Sequence, residues 1–387
     1  MRGLFITILF FCLSAGLEAQ VEFLNIGVMD WYNLQRFSFQ VEEGNYAVYA
    51  DNDKICDLSE GEFLYFIRNG KLTQVKSATQ RFGDFEKVYV MGKGSKNSFR
   101  ITPIIPEKKI RYYDDNLKVT ARDDELKLIN NVFLENYIAG VVQAEVGPNP
   151  APEFFKLQSI LCRTYALDNL GKHEFEGYNL CDRVHCQAYY RSCSDPEIAS
   201  ASRSTRGLVI VDSDINLITA AFYSNCGGQT VNSEDVWQKP VYYLRSVDDP
   251  FCTSQPNARW EKKIPKTKWV NYMRQKNPSY QSSEAKSPLQ PFYQPRRKSE
   301  YHFGSTSIPL KTIRSDFRLK STFFDAVPEG EYIYLKGRGF GHGTGLCQEG
   351  AMKMASKGIS YPEILHFYYR NVHLVDLSAL DFFREEE

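Results

Sequence analysis

Glu145 stands where an apolar side chain is due. From Leu134 the apolar positions recur at Ile138, Val141 and Val142, and the next place on that stripe is Glu145. Spacings of three and four residues put all of them on one helical face. A carboxyl group on an inward face loses hydration, which raises its pKa and keeps it protonated closer to neutral pH. Such an acid can protonate a glycosidic oxygen. The same pattern admits a Glu paired with a nearby Arg, or a helix end already turned to solvent.

A second set of residues suits a metal. His173, Cys181, His185 and Cys186 fall within fourteen positions. Two thiolates and two imidazoles are the ligands of a closed tetrahedral zinc site, although the spacing is not that of a common zinc finger. In an exported protein, cysteines more often pair with one another. Setting Cys12 aside leaves eight: Cys56, Cys162, Cys181, Cys186, Cys193, Cys226, Cys252 and Cys347. An even number permits disulfides without assigning them. The expectation carried forward is metal at the Cys181/His185/Cys186 cluster and a disulfide between Cys226 and Cys252. With four side chains on it, the zinc would be structural, with no position left for water.

Two loops could present backbone to a ligand. Gly337, Gly339, Gly341, Gly343 and Gly345 alternate through Lys336–Gln348, with His342 at the centre. Neither the dinucleotide fingerprint nor the phosphate loop can be drawn on this spacing, so no nucleotide cofactor is expected. Alternating glycines do allow backbone N–H groups to approach a ligand closely; a tight structural turn with an incidental His is the plainer reading. The other loop, Tyr223-Ser224-Asn225-Cys226-Gly227-Gly228-Gln229-Thr230, leaves a strand for a glycine turn. Gly-x-Ser-x-Gly is absent, so Ser224 is not read as a hydrolase nucleophile.

The elements that must hold these residues read as α+β. Short β-branched and aromatic runs at 37–41, 46–50, 87–91 and 99–102 are separated by breaks such as Glu43-Gly44-Asn45 and Asn69-Gly70, the latter a strong hairpin cue. A small β-rich domain is therefore expected over 20–110, followed by a mixed α/β domain over 111–375 and a tail over 376–387. The second domain opens with the helix ending at Gly147-Pro148 and a helix from Pro152-Glu153 to about Leu170. Strands are expected at 207–211, 218–223 and 332–335, and a helix from about Leu346 to Lys357. Residues 276–300, rich in Pro, Ser, Gln and charge, read as an exposed insertion or linker.

Met1-Arg2, the apolar run Leu4–Leu13 and the small residues Ser14, Ala15, Gly16 and Ala19 form a secretory signal peptide over 1–19, cut after Ala19. The run is too short for a permanent transmembrane anchor. The expected location is outside the cytoplasm, in the periplasm or cell envelope. Lys+Arg and Asp+Glu both number 47, so no global field draws the chain to nucleic acid or an anionic membrane. The 24 Tyr and 26 Phe suit sugar stacking as well as an ordinary core.

Five ordered blocks resemble the SpoIID/LytB family: 134–145; Lys156–Ile160 with Arg163–Ala166; Cys181-Asp182 with His185–Tyr189; Tyr223–Thr230; and Gly339–Gln348. The resemblance implies a peptidoglycan-active protein. Sporulation members are lytic transglycosylases acting on glycan strands stripped of stem peptides, and their essential acid aligns with Glu145. It also implies that the strand is held by residues of these blocks, namely Arg163, Tyr165, Gln187, Tyr189, Ser224, Asn225, Gly227, Gly228, Gly341, His342, Gly343 and Gln348. Some members carry zinc near Cys181–Cys186. Others are enhancers of amidases, so a glycan-binding activator with a cell-wall amidase as partner is the rival reading. The family's glycine loop commonly reads Gly-His-Gly-Val-Gly-Met-Ser-Gln; here Thr344, Leu346 and Cys347 replace three of those positions.

Overall fold

The computed structural model describes residues 22–122, 124–147, 150–237, 239–276, 287–303 and 306–379. The expected signal peptide with its cut after Ala19, the Pro148 helix stop, residues 277–286 of the expected insertion and the end of the tail lie outside the described residues. Both helices and strands are present in an α+β arrangement, as expected. No helix among the described residues is long and apolar enough to cross a membrane.

The front of the chain is one eleven-stranded sheet. Its strands are β1 (Phe23–Val28), β2 (Arg36–Ala50), β3 (Asp53–Leu58), β4 (Phe63–Asn69), β5 (Leu72–Lys76), β6 (Arg81–Phe85), β7 (Lys87–Ile105), β8 (Arg111–Asp114), β9 (Asn116–Ala121), β10 (Leu126–Phe133) and β11 (Leu180–Cys181). The expected boundary near residue 110 falls inside this sheet, because β10 pairs with β1 and β9 with β7.

The period-2 burial of Phe37, Phe39 and Val41 on β2 faces Phe99 and Ile101 on β7. Glu43-Gly44-Asn45, expected as a break between strands, is instead a bulge within β2, where the register shifts around Glu43. Gly44 supplies the φ of +83° that the bulge requires, so the strand bends rather than ends. Asn69-Gly70 does form the hairpin between β4 and β5.

β10 runs directly into α1 (Leu134–Glu145), on which Leu134, Ile138, Val141 and Val142 are all buried, as the periodicity requires. Gly140 is where α1 meets its neighbours most closely: a Cβ there would lie 2.6 Å from the Tyr189 ring. α2 (Pro152–Asp168) starts with Pro at its first position, and α3 (Pro196–Ser204) is capped by Asp195, whose side chain accepts from the Glu197 and Ile198 amides.

The remainder builds smaller sheets. β12 (Leu208–Val211) ends the expected 207–211 run, and β13 (Phe222–Tyr223) is only the last part of the strand expected at 218–223. α4 (Glu234–Trp237), β14 (Arg259–Pro265), α5 (Lys266–Lys276), β15 (Glu300–Phe303), β16 (Thr306–Pro309), α6 (Leu310–Asp316), β17 (Phe324–Glu329), β18 (Tyr332–Arg338), β19 (Leu346–Cys347), α7 (Gln348–Ser356), α8 (Tyr361–Tyr368) and β20 (His373–Asp376) complete the chain. The β13–β19 pair is parallel and brings the Tyr223–Thr230 loop beside the glycine loop.

The described part of 276–300 is largely exposed but anchored at a few points. Phe292 is buried and bridges to Ala326, and the Gln294 amide donates to the Thr322 and Phe324 carbonyls. Phe292 and Gln294, two residues apart, suffice to tie such a polar segment down. Three main apolar clusters result: one under the large sheet and α1, one around α2, α7 and α8, and one around Trp269. Val146, Tyr165 and Phe222 pack against both of the first two and so mark the seam between them.

Candidate functional site

Glu145 is the last residue of α1, half-buried, and the next residue, Val146, has turned to extended backbone at the seam. Its Oε1 accepts from the Ala188 N–H at 3.2 Å. Among the described residues no ion pair reaches it, so the alternative of an Arg-paired Glu is not what the fold builds. Burial raises the pKa of this carboxyl, and the Ala188 amide offsets only part of that rise. The arrangement is that of a carboxyl whose protonated form is favoured by burial.

The segment carrying Ala188 is the one anchored by the Cys/His cluster. One ligand atom from each of His173, Cys181, His185 and Cys186 lies within 4.8 Å of the others. His185 Nδ1 is 3.8 Å from Cys181 Sγ and 3.7 Å from Cys186 Sγ. A tetrahedral zinc with bonds of about 2.0–2.3 Å sets neighbouring ligand atoms roughly 3.3–3.8 Å apart. His173 Nε2 is buried without a hydrogen-bond partner, while its Nδ1 lies 3.3 Å from Glu176 Oε1. A ring nitrogen left open with its mate tied to a carboxylate is how a metal-bound imidazole is held. The residues therefore fit the ion. Lys172 links the cluster to the seam, donating to the His185 carbonyl at 2.8 Å and to the Tyr165 hydroxyl at 2.9 Å.

His342 is fixed in its loop by both ring nitrogens. Nε2 lies 3.0 Å from the Phe222 carbonyl, and Nδ1 accepts from the Thr344 N–H at 3.2 Å, which sets the neutral Nε2–H tautomer. Burial lowers its pKa to about 4. The imidazole is therefore held neutral, with both ring nitrogens tied to backbone. Its ring sits between Tyr223 and the half-exposed Trp237, with centroids 4.9 and 5.7 Å away. Gly341 and Gly343 take φ of +125° and +101°, and a Cβ on Gly341 would lie 2.6 Å from Tyr223. Because His342 titrates near 6.5 unfolded, its contribution to stability is whole above about pH 6.5 and drains away toward pH 4. Urea midpoints of wild type and His342→Gln are expected to converge as pH falls from 7 to 5.

Several residues expected to hold the strand are buried, and most have their polar atoms paired within the protein. Arg163 is fully buried: Nε and Nη2 meet the Glu135 carboxylate at 2.9 and 2.6 Å, and Nη1 meets the Leu208 carbonyl. Tyr189 is fully buried, with its hydroxyl 3.2 Å from Asn130 Oδ1. Gln187 is enclosed by Tyr137 and the Cys162 carbonyl, and Asn225 by the Cys252 carbonyl, Glu349 and the Gly227 amide. Gln348 opens α7 with its Nε2 buried and unpartnered. Tyr165, Ser224 and Gly341 are half-buried, and Gly227 and Gly228 line a cavity of about 330 Å³ with Arg259, Arg296 and Arg338.

Cys226 and Cys252, expected as a disulfide, stand as thiols with their sulfurs 3.2 Å apart, well beyond a bond of about 2.05 Å. Arg297, which no sequence motif marks, binds the Cys226 and Gln229 carbonyls through its guanidinium at 2.6 Å each and braces the glycine turn. Trp237 and Glu349 are likewise unmarked in the sequence; Glu349 accepts from Asn225 and Asn257. Nothing local in the sequence marks Arg297, which is 68 and 71 positions from its partners.

The first three of the five blocks lie within a stretch that matches a known family model. Residues 122–211 match the family model SpoIID, described as Stage II sporulation protein. This stretch contains Glu145 and the four Cys/His residues; the glycine loop lies beyond it. The chain is 26% identical over 273 residues to Stage II sporulation protein D of Bacillus subtilis (strain 168), covering 65% of this chain and 77% of that protein. It is 29% identical over 283 residues to the protein of the same name from Bacillus amyloliquefaciens, covering 66% and 77%. To the Amidase enhancer of Bacillus subtilis it is 25% identical over 288 residues, covering 60% and 39%. Residues 122–211 thus resemble the SpoIID family, and the chain is similar, at modest identity, to Stage II sporulation protein D and to the Amidase enhancer.

Proposed function

We propose that this protein works on the cell wall after export, as a peptidoglycan lytic transglycosylase that uses Glu145 as both acid and base. The observation that carries the reading is the half-buried Glu145 carboxyl, raised in pKa by burial and touched by one backbone amide. In the acid form it would protonate the oxygen bridging muramic acid and glucosamine, and the bond would break through an oxocarbenium-like state. The resulting carboxylate would then take the proton of the sugar's own C6 hydroxyl as that oxygen closes a 1,6-anhydro ring. No second carboxylate is needed. The seam marked by Val146, Tyr165 and Phe222 would receive the strand, with Trp237 and His342 offering apolar faces.

Mass spectrometry of peptide-stripped glycan after incubation tests this. Products ending in 1,6-anhydro sugar, lighter by one water than hydrolysed ends, are expected. The relative named Amidase enhancer supports a second reading, in which the chain binds glycan and stimulates a separate amidase. Intact glycan, together with faster stem-peptide release by an added amidase, would favour that reading.

A zinc ion on His173, Cys181, His185 and Cys186 would be structural in either case, holding the turn that leads to Ala188 and so the orientation of Glu145. His185 is exposed, so His185→Ala removes little packing. A surface truncation of that kind ordinarily changes stability by about 0.5 kcal/mol or less. With zinc bound, the loss expected from urea unfolding is several times larger, accompanied by loss of one zinc per chain.

A further inference from the structure

We propose that Cys226, Asp249, Cys252 and Cys347 form a second metal site, for a zinc-like divalent cation, that clamps the glycine turn to the start of α7. It is separate from the His173/Cys181/His185/Cys186 group and does not depend on the proposed glycan cleavage. All four residues are buried, and one ligand atom from each lies within 4.8 Å of the others. Cys226 Sγ is 3.2 Å from Cys252 Sγ and 3.2 Å from Asp249 Oδ2, so a slight expansion brings them to the roughly 3.3–3.8 Å of a tetrahedral ion.

The surroundings are those of thiolates. Cys347 Sγ accepts from the Cys226 and Gly350 amides at 3.2 and 3.4 Å, and Cys252 Sγ from the Gly228 amide at 3.3 Å. Such amide contacts stabilise negative sulfur and orient it toward a cation. Asp249 has no exposed surface; its oxygens accept from the Tyr368 hydroxyl and the Phe251 amide, each at 2.9 Å. Among the described residues no Lys or Arg pairs with it. A buried carboxylate beside three sulfurs is costly unless a cation balances it. Gly350 makes the approach possible, since a Cβ there would lie 2.3 Å from Asp249 Oδ2.

A disulfide between Cys226 and Cys252 would use two of the sulfurs and leave Cys347 and Asp249 aimed at a bond they do not join. A cation uses all four groups. Four protein ligands close the site, so it is structural. The ion would join the turn after β13, the loop before Asn257 and the β19–α7 junction, and thereby fix both ends of the segment that presents His342.

The full chain, purified without chelator, is tested by elemental analysis and by thiol alkylation in denaturant followed by peptide mass spectrometry. The Cys181→Ser/Cys186→Ser variant, which keeps only this second group, is expected to retain one zinc per chain. Cys226, Cys252 and Cys347 of the wild type are expected to be alkylated as free thiols once unfolded. If the double variant does not fold, Cys347→Ser serves instead and is expected to hold one zinc fewer than wild type. Recovery of a Cys226–Cys252 disulfide from wild type, a folded double variant without metal, or an unchanged zinc content in Cys347→Ser would each overturn the proposal.

Discussion

Glu145→Gln is expected to lower the rate of glycan cleavage by about 10²- to 10⁴-fold, the range in which a positioned general acid and base contributes. The amide keeps the shape of the side chain, and its oxygen can still accept from the Ala188 N–H, so folding and strand binding should be unchanged. A loss confined to kcat identifies a group that acts in the transition state, whereas a rise in KM alone would mark a binding residue. The pH dependence has a definite sign. Burial raises the Glu145 pKa, so the acid form survives above the ordinary Glu value of about 4.3. Cleavage should hold on the acid side of the raised pKa and fall as pH rises through it. In Glu145→Gln that alkaline limb should vanish with the activity.

The largest loss of stability is expected from Arg163→Met. This guanidinium is fully buried and forms a two-point pair with Glu135, which is itself almost entirely enclosed. Removing one partner leaves the other charge buried without compensation, a change that costs about 3–5 kcal/mol. Arg163 also satisfies the Leu208 and Ser202 carbonyls, so α2 would lose its ties to β12 and α3. Urea unfolding should show a lower midpoint at an unchanged slope. Adding Glu135→Leu to Arg163→Met should recover much of the loss, because an apolar pair of similar volume can replace a buried ion pair. If Arg163 were instead a strand-binding residue, Arg163→Met would weaken glycan binding and leave the urea midpoint in place.

What the sequence made legible was local. The stripe through Leu134, Ile138, Val141 and Val142 found α1 and singled out Glu145, because a helix displays its buried face every three or four residues. Asn69-Gly70 announced a hairpin for the same reason: two residues suffice to specify the turn. The clustering of His173, Cys181, His185 and Cys186 within one short segment foretold that their ligand atoms could converge.

Long-range partners were not legible. Arg163, Gln187, Tyr189 and Asn225 sit in distinctive blocks, and such blocks invite a ligand-binding role. In the fold their polar atoms are spent on Glu135, Tyr137, Asn130 and Glu349. Distinctive polar residues can be demanded by a buried network as well as by a substrate. Cys347 joins Cys226 across 121 positions through the parallel β13–β19 pair, and no periodicity reports such a contact. Arg297 lay in a stretch that composition marked as linker, yet it braces the glycine turn.

A ¹³C NMR titration of the Glu145 carboxyl, assigned by comparison with Glu145→Gln, probes the central claim most directly. A midpoint displaced above about 4.3 is what a half-buried acid with a single amide contact requires. A midpoint at or below that value would show a solvated or charge-paired carboxylate, and the assignment of Glu145 as the acid would fail.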